Sequence, residues 1–256
     1  MAAYVAGPNP SWRQFRDERR DEYDELCAAL YSRQRGLCAY CETDLRTSVG
    51  TPAREIEHWR PKSLDVPPAT RFTFGVDNLR MGCFGGAAHY PTQDVHHTGN
   101  PVPGPNLSCG AAKKDDDPSA LPRLHLPYTP DELPERPSLF TILDDGEIRA
   151  VADCQQLGFE ADRLQATIDF LKLNCTRLKN ARQVIIQSLN QALTDYLGQI
   201  SEEADEDEFE AALVRLATAT APPQDEDLPR FVTTLRSYFG RSLDGVLFPT
   251  PGWATG

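Results

Sequence analysis

Four of the seven cysteines in this 256-residue chain fall between residues 38 and 109, and they constrain the fold more than any other feature. Cys38 and Cys41 form a Cys-x-x-Cys pair, and Cys83 and Cys109 follow as two more widely spaced thiols. Clustered cysteines in a chain without an export signal hold metal more often than they form disulfides. Because four thiolates make a closed tetrahedral site for Zn²⁺, we predict a structural zinc knuckle. The alternative is an accidental pair plus two core cysteines.

The rest of the composition favours a cytoplasmic protein with no membrane partner. The first twelve residues contain no basic segment followed by an apolar run, so no export signal is predicted. No segment approaches the roughly 18 consecutive apolar residues that a membrane span needs. The other three thiols, Cys27, Cys154 and Cys175, lie in segments that look helical or buried, where cysteine acts as a small packing residue.

The net charge of −12 is unevenly distributed. Residues 1–125 contain 15 Lys and Arg against 16 Asp and Glu, whereas residues 126–256 contain 11 against 22. A polyanion could therefore bind the N-terminal half while the C-terminal half repels it. The equally weighted alternative for the arginines before residue 36 is that they pair with neighbouring acids such as Asp17 and Glu22.

Apolar spacing predicts the elements around the cysteines. A helix with Ser11 as a possible cap is predicted to run to about Arg35 and to end at Gly36. Alternation over 55–59 predicts a short strand. The segment 77–81 looks like the start of a short helix or a turn that leads to the third cysteine.

Beyond residue 125 the sequence predicts a hairpin followed by helices. Asp145-Gly146 is a turn signal between apolar runs over 140–151. Helical spacing begins near Phe159, is broken at Pro222-Pro223, and resumes in a last helix over 228–239. We therefore divide the chain into an N-terminal helix (1–36), a core with the metal knuckle (37–125) and a hairpin plus helical region (126–256). The acidic helical part is expected to dock a partner or, alternatively, to complete the core.

Glu57-His58 and Asn78 lie between the thiol pairs, and their order suggests hydrolytic chemistry. A neutral imidazole at His58 can take a proton from water. Glu57 can offer oxygen to a hard divalent cation such as Mg²⁺. The Asn78 amide can fix a loop or the imidazole ring. A lone histidine on a strand is more often structural, and only the flanking motifs favour a catalytic role.

These motifs together resemble HNH endonucleases, and more narrowly the PtuB-like HNH proteins of Septu and retron-associated anti-phage systems. The resemblance covers roughly residues 25–185 and is carried by four segments: Cys38-Ala39-Tyr40-Cys41-Glu42, Ile56-Glu57-His58-Trp59-Arg60-Pro61-Lys62-Ser63, Asn78-Leu79, and Cys109-Gly110-Ala111-Ala112-Lys113-Lys114-Asp115. It implies an α+β fold in which a zinc-stapled ββα-metal nuclease core lies between an N-terminal helix and a mainly α-helical C-terminal region. It also implies metal-dependent hydrolysis of nucleic acid, most readily DNA.

Carried over residue by residue, the resemblance makes His58 the general base and Asn78 the middle residue of the motif. The four clustered cysteines become ligands of structural Zn²⁺. The resemblance does not assign the ligands of a catalytic Mg²⁺ or Mn²⁺; from the residues themselves, Glu57 and Asp115 are the candidates. Arg60, Lys62 and Lys113 would contact phosphate, with ordinary surface charge as an equal alternative.

The chain departs from the pattern directly after the last cysteine. Many HNH proteins have His or Asn there, and this chain has Gly110. The third motif residue is therefore unassigned, with Asp115 and the loop histidines His89, His96 and His97 as candidates.

The resemblance also implies an ATPase partner similar to PtuA. This sequence contains no Gly-x-x-x-x-Gly-Lys-Ser/Thr motif, so that ATPase would be a separate chain. Two alternatives remain open: a catalytically degenerate, zinc-stapled adaptor that binds a partner protein, and an HNH nuclease that acts on RNA.

Overall fold

A computed structural model gives the fold. It describes residues 1–5, 10–46, 54–86, 106–122, 126–134, 137–200, 206–221 and 227–247. The loop histidines His89, His96 and His97 lie outside the described residues.

The helices described in the N-terminal part are α1 (Ala2–Val5), α2 (Trp12–Glu18) and α3 (Arg20–Arg33). The prediction of one continuous helix is wrong, because the chain turns at Arg19 (φ −117°, ψ 56°). A straight helix would separate residues 15 and 23 by about 12 Å along its axis. The turn instead brings the rings of Phe15 and Tyr23 to 6.2 Å and buries Phe15. Aromatic packing therefore overrides the helical spacing.

A two-stranded antiparallel sheet lies at the centre of the next part. Strand β1 (Arg54–His58) pairs with β2 (Leu79–Cys83), with Arg54 opposite Cys83 and His58 opposite Leu79. The prediction of β1 is confirmed. The predicted helix or turn over 77–81 is wrong beyond Asn78, because a 3₁₀ turn (Val76–Asn78) leads directly into β2.

Short helical segments connect to the sheet. A 3₁₀ turn (Lys62–Leu64) and the single-turn helix α4 (Arg71–Phe74) lie between β1 and β2. The helix α5 (Cys109–Lys113) follows later in the chain and packs near β2.

The predicted hairpin is confirmed as β3 (Phe140–Ile142) paired antiparallel with β4 (Ile148–Ala150). Gly146 adopts φ +79° at its turn, a conformation that glycine takes without steric cost. The side chain of Asn174 fixes the hairpin to the helices, because its Oδ1 accepts from the Ile148 N–H and its Nδ2 donates to the Ile148 carbonyl.

The described residues of the C-terminal part form five helices: α6 (Ala161–Phe170), α7 (Thr176–Ile200), α8 (Glu206–Thr220), α9 (Val232–Phe239) and α10 (Arg241–Leu247). The last predicted helix begins four residues later than expected, because Phe231 has φ +54°. The prediction missed α10, which follows directly after Gly240. No helix in the described part of the chain is both long and apolar enough to cross a membrane.

Three apolar cores hold the described elements together, and the smallest surrounds Leu164. The largest contains the four clustered cysteines and draws on all three predicted parts of the chain, for example through Leu30, Leu79 and Ile168. The second surrounds Leu37 with residues of the last three helices: Ala217, Val232, Leu235, Phe239, Leu243 and Leu247. These helices therefore bury their apolar faces inside the molecule.

Candidate active site and zinc knuckle

The four clustered cysteines converge on one buried point, with all their sulfur atoms within 4.8 Å of one another. The Sγ–Sγ distances are 3.6 Å for Cys41–Cys83, 3.8 Å for Cys83–Cys109 and 4.0 Å for Cys38–Cys109. A tetrahedron with Zn–S bonds of about 2.3 Å has edges of about 3.8 Å. The distances therefore fit one tetrahedral zinc ion, and they are far too long for disulfides, whose S–S bond is about 2.05 Å.

Polar groups around the sulfurs suit thiolates. The Cys83 N–H lies 3.4 Å from the Cys38 sulfur, and the Thr43 hydroxyl lies 3.0 Å from the Cys41 sulfur. Such contacts around the ligands orient them and tune the metal site.

A side chain from α7 reaches the fourth ligand through a serine. Arg177 Nη2 donates to Ser108 Oγ at 2.6 Å, and Ser108 Oγ lies 3.4 Å from the Cys109 sulfur. Because the guanidinium occupies a lone pair of Ser108 Oγ, the hydroxyl hydrogen can turn toward a metal-bound thiolate. The helical region thus contacts the knuckle through a buried hydrogen-bonded chain.

His58 is the last residue of β1 and is buried, with a relative exposure of 6 %. Its Nε2 lies 3.0 Å from the Thr73 carbonyl oxygen. A carbonyl only accepts hydrogen bonds, so Nε2 carries the hydrogen and Nδ1 of the neutral ring keeps its lone pair. The ring of Trp12 packs edge-on against the imidazole with centroids 4.6 Å apart. The ring is therefore fixed in one tautomer and one orientation.

Burial lowers the pKa of His58 to about 4. The positive charge of Lys62 contributes to this lowering of the pKa, and the hydrogen bond to the Thr73 carbonyl acts in the opposite direction. The imidazole is therefore neutral at pH 7, which is the form that accepts a proton.

The side chains of Asn78 and Asp65 fix the backbone segments next to His58. The Asn78 amide donates to the carbonyls of Arg60 (2.9 Å) and Phe72 (2.6 Å), and its Oδ1 accepts from the Arg60 N–H at 2.8 Å. The Asp65 carboxylate accepts from the N–H groups of Phe72 (2.9 Å) and Thr73 (2.7 Å). Asn78 thus ties the chain after β1 to α4, and its contacts are with the loop backbone.

Glu57 precedes His58 on β1 and so points to the opposite face of the strand. Its carboxylate lies against Gly110 at the start of α5. The pKa of Glu57 is raised to about 7, chiefly by burial and also by the negative charge of Glu55, while the positive charge of Lys113 opposes the shift.

A polar cleft of about 160 Å³ brings most of the predicted site residues together, and its lining includes Glu55, Glu57, His58, Lys62, Lys113 and Asp115. Carboxylate oxygens are the donors that Mg²⁺ and Mn²⁺ prefer, so the lining fits such a cation by type. In the described residues, however, the four cysteines form the one group of three or more His, Cys, Asp or Glu side chains close enough to hold a metal ion. Glu57 and Asp115 therefore line the cleft, but among the described residues no three such side chains lie close enough together there to form a metal site.

The three predicted phosphate-binding residues have different surroundings. Arg60 is paired with Asp117 (Nε–Oδ1 3.1 Å), and its guanidinium lies 4.3 Å from the centre of the Phe72 ring. Lys113 is buried, and its Nζ donates to the Lys114 carbonyl at 2.8 Å. Lys62 is exposed on the rim of the cleft. Of the three, Lys62 is the most accessible to a phosphate.

Sequence reasoning missed three parts of the site. Trp12 lies outside the motifs that carry the resemblance, yet its ring contacts the His58 ring. Thr73 and Asp65 lie between two of those motifs and belong to neither. The aspartate was the available signal, because Asp side chains commonly accept from backbone N–H groups a few residues away.

Comparison with known proteins agrees with the motifs. A curated protein of Escherichia coli named "Retron Ec83 putative HNH endonuclease" is 29% identical over 201 residues, which span 72% of this chain and 73% of that protein. No family model and no solved structure matches the chain. The chain is thus a distant relative of a protein named as an HNH endonuclease, which supports the HNH resemblance.

Proposed function

We propose that the chain is a metal-dependent HNH endonuclease that hydrolyses phosphodiester bonds, with DNA as the substrate. The observation that carries the proposal is the state of His58: a neutral imidazole, fixed by Thr73 and Trp12, with its Nδ1 lone pair kept free for a proton. Its position beside a polar cleft, next to a four-thiol knuckle, supports the same function. The order of β1, β2 and α5 matches the ββα order that the resemblance implies.

In this mechanism Nδ1 of His58 takes a proton from a water molecule as the water oxygen attacks phosphorus. The P–O bond to the leaving group breaks, the leaving oxygen takes a proton from solvent water, and the protonated His58 then returns its proton to solvent. Lys62 lies on the rim of the cleft, where its charge attracts the phosphate. Glu57 and Asp115 are the residues that would hold Mg²⁺ or Mn²⁺, which when bound stabilises negative charge on the phosphate and the leaving oxygen.

The four cysteines would hold structural Zn²⁺, which leaves no ligand position for substrate. The knuckle therefore positions β2 and α5 on either side of Glu57 without taking part in the chemistry.

We further propose that this nuclease is the effector of an anti-phage system and works with a separate ATPase. The name of the distant relative includes a retron, and the motifs resemble the PtuB-like proteins that accompany such an ATPase. The chain itself contains no nucleotide-binding P-loop sequence.

The test compares wild-type protein with His58→Ala on supercoiled plasmid, with Mg²⁺ or Mn²⁺ and with or without the ATPase. Loss of a general base costs about 10²- to 10⁴-fold in rate, so plasmid nicking should fall at least 100-fold. Zinc content and the circular dichroism spectrum should stay close to wild type, while the thermal midpoint falls because a buried ring is removed. Ser188→Ala, an exposed residue of α7, is the matched control. Equal nicking by His58→Ala and wild type would overturn the proposal.

The same assay separates the alternatives. Cleavage of single-stranded DNA or tRNA but not plasmid would assign an RNA or single-strand substrate. Absence of cleavage under every condition, with zinc bound, would favour the adaptor.

A further inference from the structure

An open groove lies beside the His58 cleft, on the side of the N-terminal helices. Its lining includes Trp12, Arg13, Arg16, Lys62 and Thr73. Two of these residues, Trp12 and Thr73, contact the His58 ring directly. Lys62 lines both the groove and the cleft. The groove and the cleft therefore lie side by side, with Lys62 in the lining of both.

The groove carries exposed positive charge. Arg13 and Arg16 project from the outer face of α2, with side-chain exposures of 86% and 47%. Both are near Asp17, at 3.7 Å from Arg13 and 2.8 Å from Arg16. Exposed ion pairs of this kind contribute about 0–1 kcal/mol, so they yield readily to a stronger anionic partner. Together with Lys62, the two arginines give the groove lining three cationic side chains.

The helix that presents these arginines is held firmly in place. Phe15, between them in sequence, is fully buried, and its ring packs against Phe74 of α4 at 5.9 Å. Trp12, one residue before Arg13, packs against both Phe74 and His58. Arg13 and Arg16 are three residues apart and so share one side of the helix. Their charges therefore keep a fixed relation to the imidazole.

We propose that this groove binds the sugar-phosphate backbone of the nucleic acid whose scissile phosphate lies at His58, with Arg13, Arg16 and Lys62 contacting consecutive phosphates. The inference rests on the proposed function, since it takes its occupant from it. Contacts to phosphate position a substrate and carry no sequence information, so the groove contributes affinity and alignment. The N-terminal helix is thereby part of the substrate-binding surface.

The experiment measures binding separately from cleavage. All variants carry His58→Ala, and affinity for a fluorescently labelled DNA duplex of arbitrary sequence is measured by anisotropy over a range of salt concentrations. The groove pair is Arg13→Ala with Arg16→Ala. The matched control is Arg19→Ala with Arg20→Ala, two arginines from the same region that are also exposed (54% and 68%) and paired with acids, but that do not line the groove.

Each phosphate contact contributes about −0.9 to the slope of log affinity against log salt. The groove pair should therefore make the slope shallower by about 1.8 and weaken binding at least tenfold at low salt. The control pair should leave the slope within error of the parent. Circular dichroism and zinc content confirm that both pairs remain folded.

Each outcome bears on the groove and on the nuclease separately. Equal losses of DNA affinity in the groove pair and the control pair would show a general charge effect and would contradict the proposed groove. The proposal would also be wrong if neither pair lost affinity, or if the parent protein did not bind DNA. A further arm places Arg13→Ala with Arg16→Ala in the His58-intact protein. If the His58-intact protein cleaves DNA, and the two arginine substitutions change neither binding in the His58→Ala background nor cleavage in the His58-intact background, the proposed groove contacts are wrong and the proposed nuclease activity stands. If the groove pair loses DNA binding but the His58-intact protein cleaves no nucleic acid, the groove is confirmed as a binding surface and the proposed nuclease activity is wrong.

Discussion

The carboxylate of Glu57 occupies the space that a side chain on Gly110 would need. A β-carbon at position 110 would lie 1.8 Å from Glu57 Oε1 and 2.0 Å from its Cδ, far inside any van der Waals contact. This is the position directly after the fourth cysteine, where the resemblance leads one to expect His or Asn. In this chain the polar group at that place comes from β1 instead. The buried position of the Glu57 carboxylate therefore requires a residue without a side chain at position 110.

We predict that Gly110→Ala displaces Glu57 and lowers plasmid nicking at least tenfold while zinc content stays unchanged. In an unhindered helix, replacing Gly by Ala stabilises by up to about 1 kcal/mol, so any loss of stability reports the clash. Gly198→Ala in α7 is the matched control, because nothing lies within 4 Å of its added carbon. Chemical denaturation measures the free energy of unfolding of both variants.

A double variant makes the test independent of nuclease activity. In a Glu57→Ala background the added carbon at position 110 meets no carboxylate, so Gly110→Ala should no longer destabilise. If Gly110→Ala destabilises equally with and without Glu57, the steric dependence is wrong.

Features encoded by adjacent residues could be predicted from the sequence. The Cys38-x-x-Cys41 pair, the alternation of β1 and the Asp145-Gly146 turn each contain their signal within a few positions. Strand β2 was missed because all five of its residues are buried, so it shows no alternation of polar and apolar side chains. The turn at Arg19 was missed because its cause is packing between aromatic rings.

The candidate site divides in the same way. The order of the motifs was enough to single out His58 and the four cysteines. The groups that fix the imidazole, the Thr73 carbonyl and the Trp12 ring, come from separate segments of the chain that meet only in the folded protein. A backbone carbonyl also leaves no trace in residue type, so its role has no sequence signal at all.

The low pKa of His58 predicts a loss of stability in acid. Burial lowers this pKa from 6.5 to about 4, so between these values the unfolded chain binds a proton that the folded chain does not. The free energy of unfolding therefore rises with pH across this window, and acidification removes the contribution of His58. Between pH 8 and pH 5 this group alone should cost wild type about 2 kcal/mol. Denaturation of wild type and His58→Gln at both pH values isolates the contribution, because the terms that they share cancel.

Proton NMR provides the direct check on the same group. The His58 ring resonances should stay constant from pH 8 to pH 5, whereas an unperturbed histidine titrates near 6.5. A midpoint near 6.5 for His58 would contradict the neutral, buried imidazole.

Ser108 should control how firmly the knuckle holds zinc. Ser108→Ala removes the hydroxyl beside the Cys109 sulfur and leaves Arg177 without that acceptor. An unsatisfied buried donor costs about 1–3 kcal/mol, and we expect that loss in the free energy of unfolding. Zinc transfer to a coloured chelator should also become faster, since a hydrogen bond toward the thiolate is gone. Ser188→Ala is the control, and unchanged zinc transfer in Ser108→Ala would remove the serine from the metal site.

The last helices are expected to stabilise the knuckle as well as their own core. Leu235 of α9 is buried in the cluster around Leu37, and Leu37 directly precedes Cys38, one of the four clustered cysteines. Leu235→Ala should cost about 2–5 kcal/mol. Val214→Ala, at an exposed position of α8, should stay within about 0.5 kcal/mol of wild type.

The decisive measurement follows zinc release and loss of helical signal in the same denaturant titration. Because Leu37 joins the second core to the knuckle, both transitions of Leu235→Ala should shift together to lower denaturant. Loss of helical signal at a lower denaturant concentration than zinc release would mean that the helical region unfolds on its own. In that case its apolar faces would be free to serve a partner, and the core-completing role inferred from the packing would be wrong.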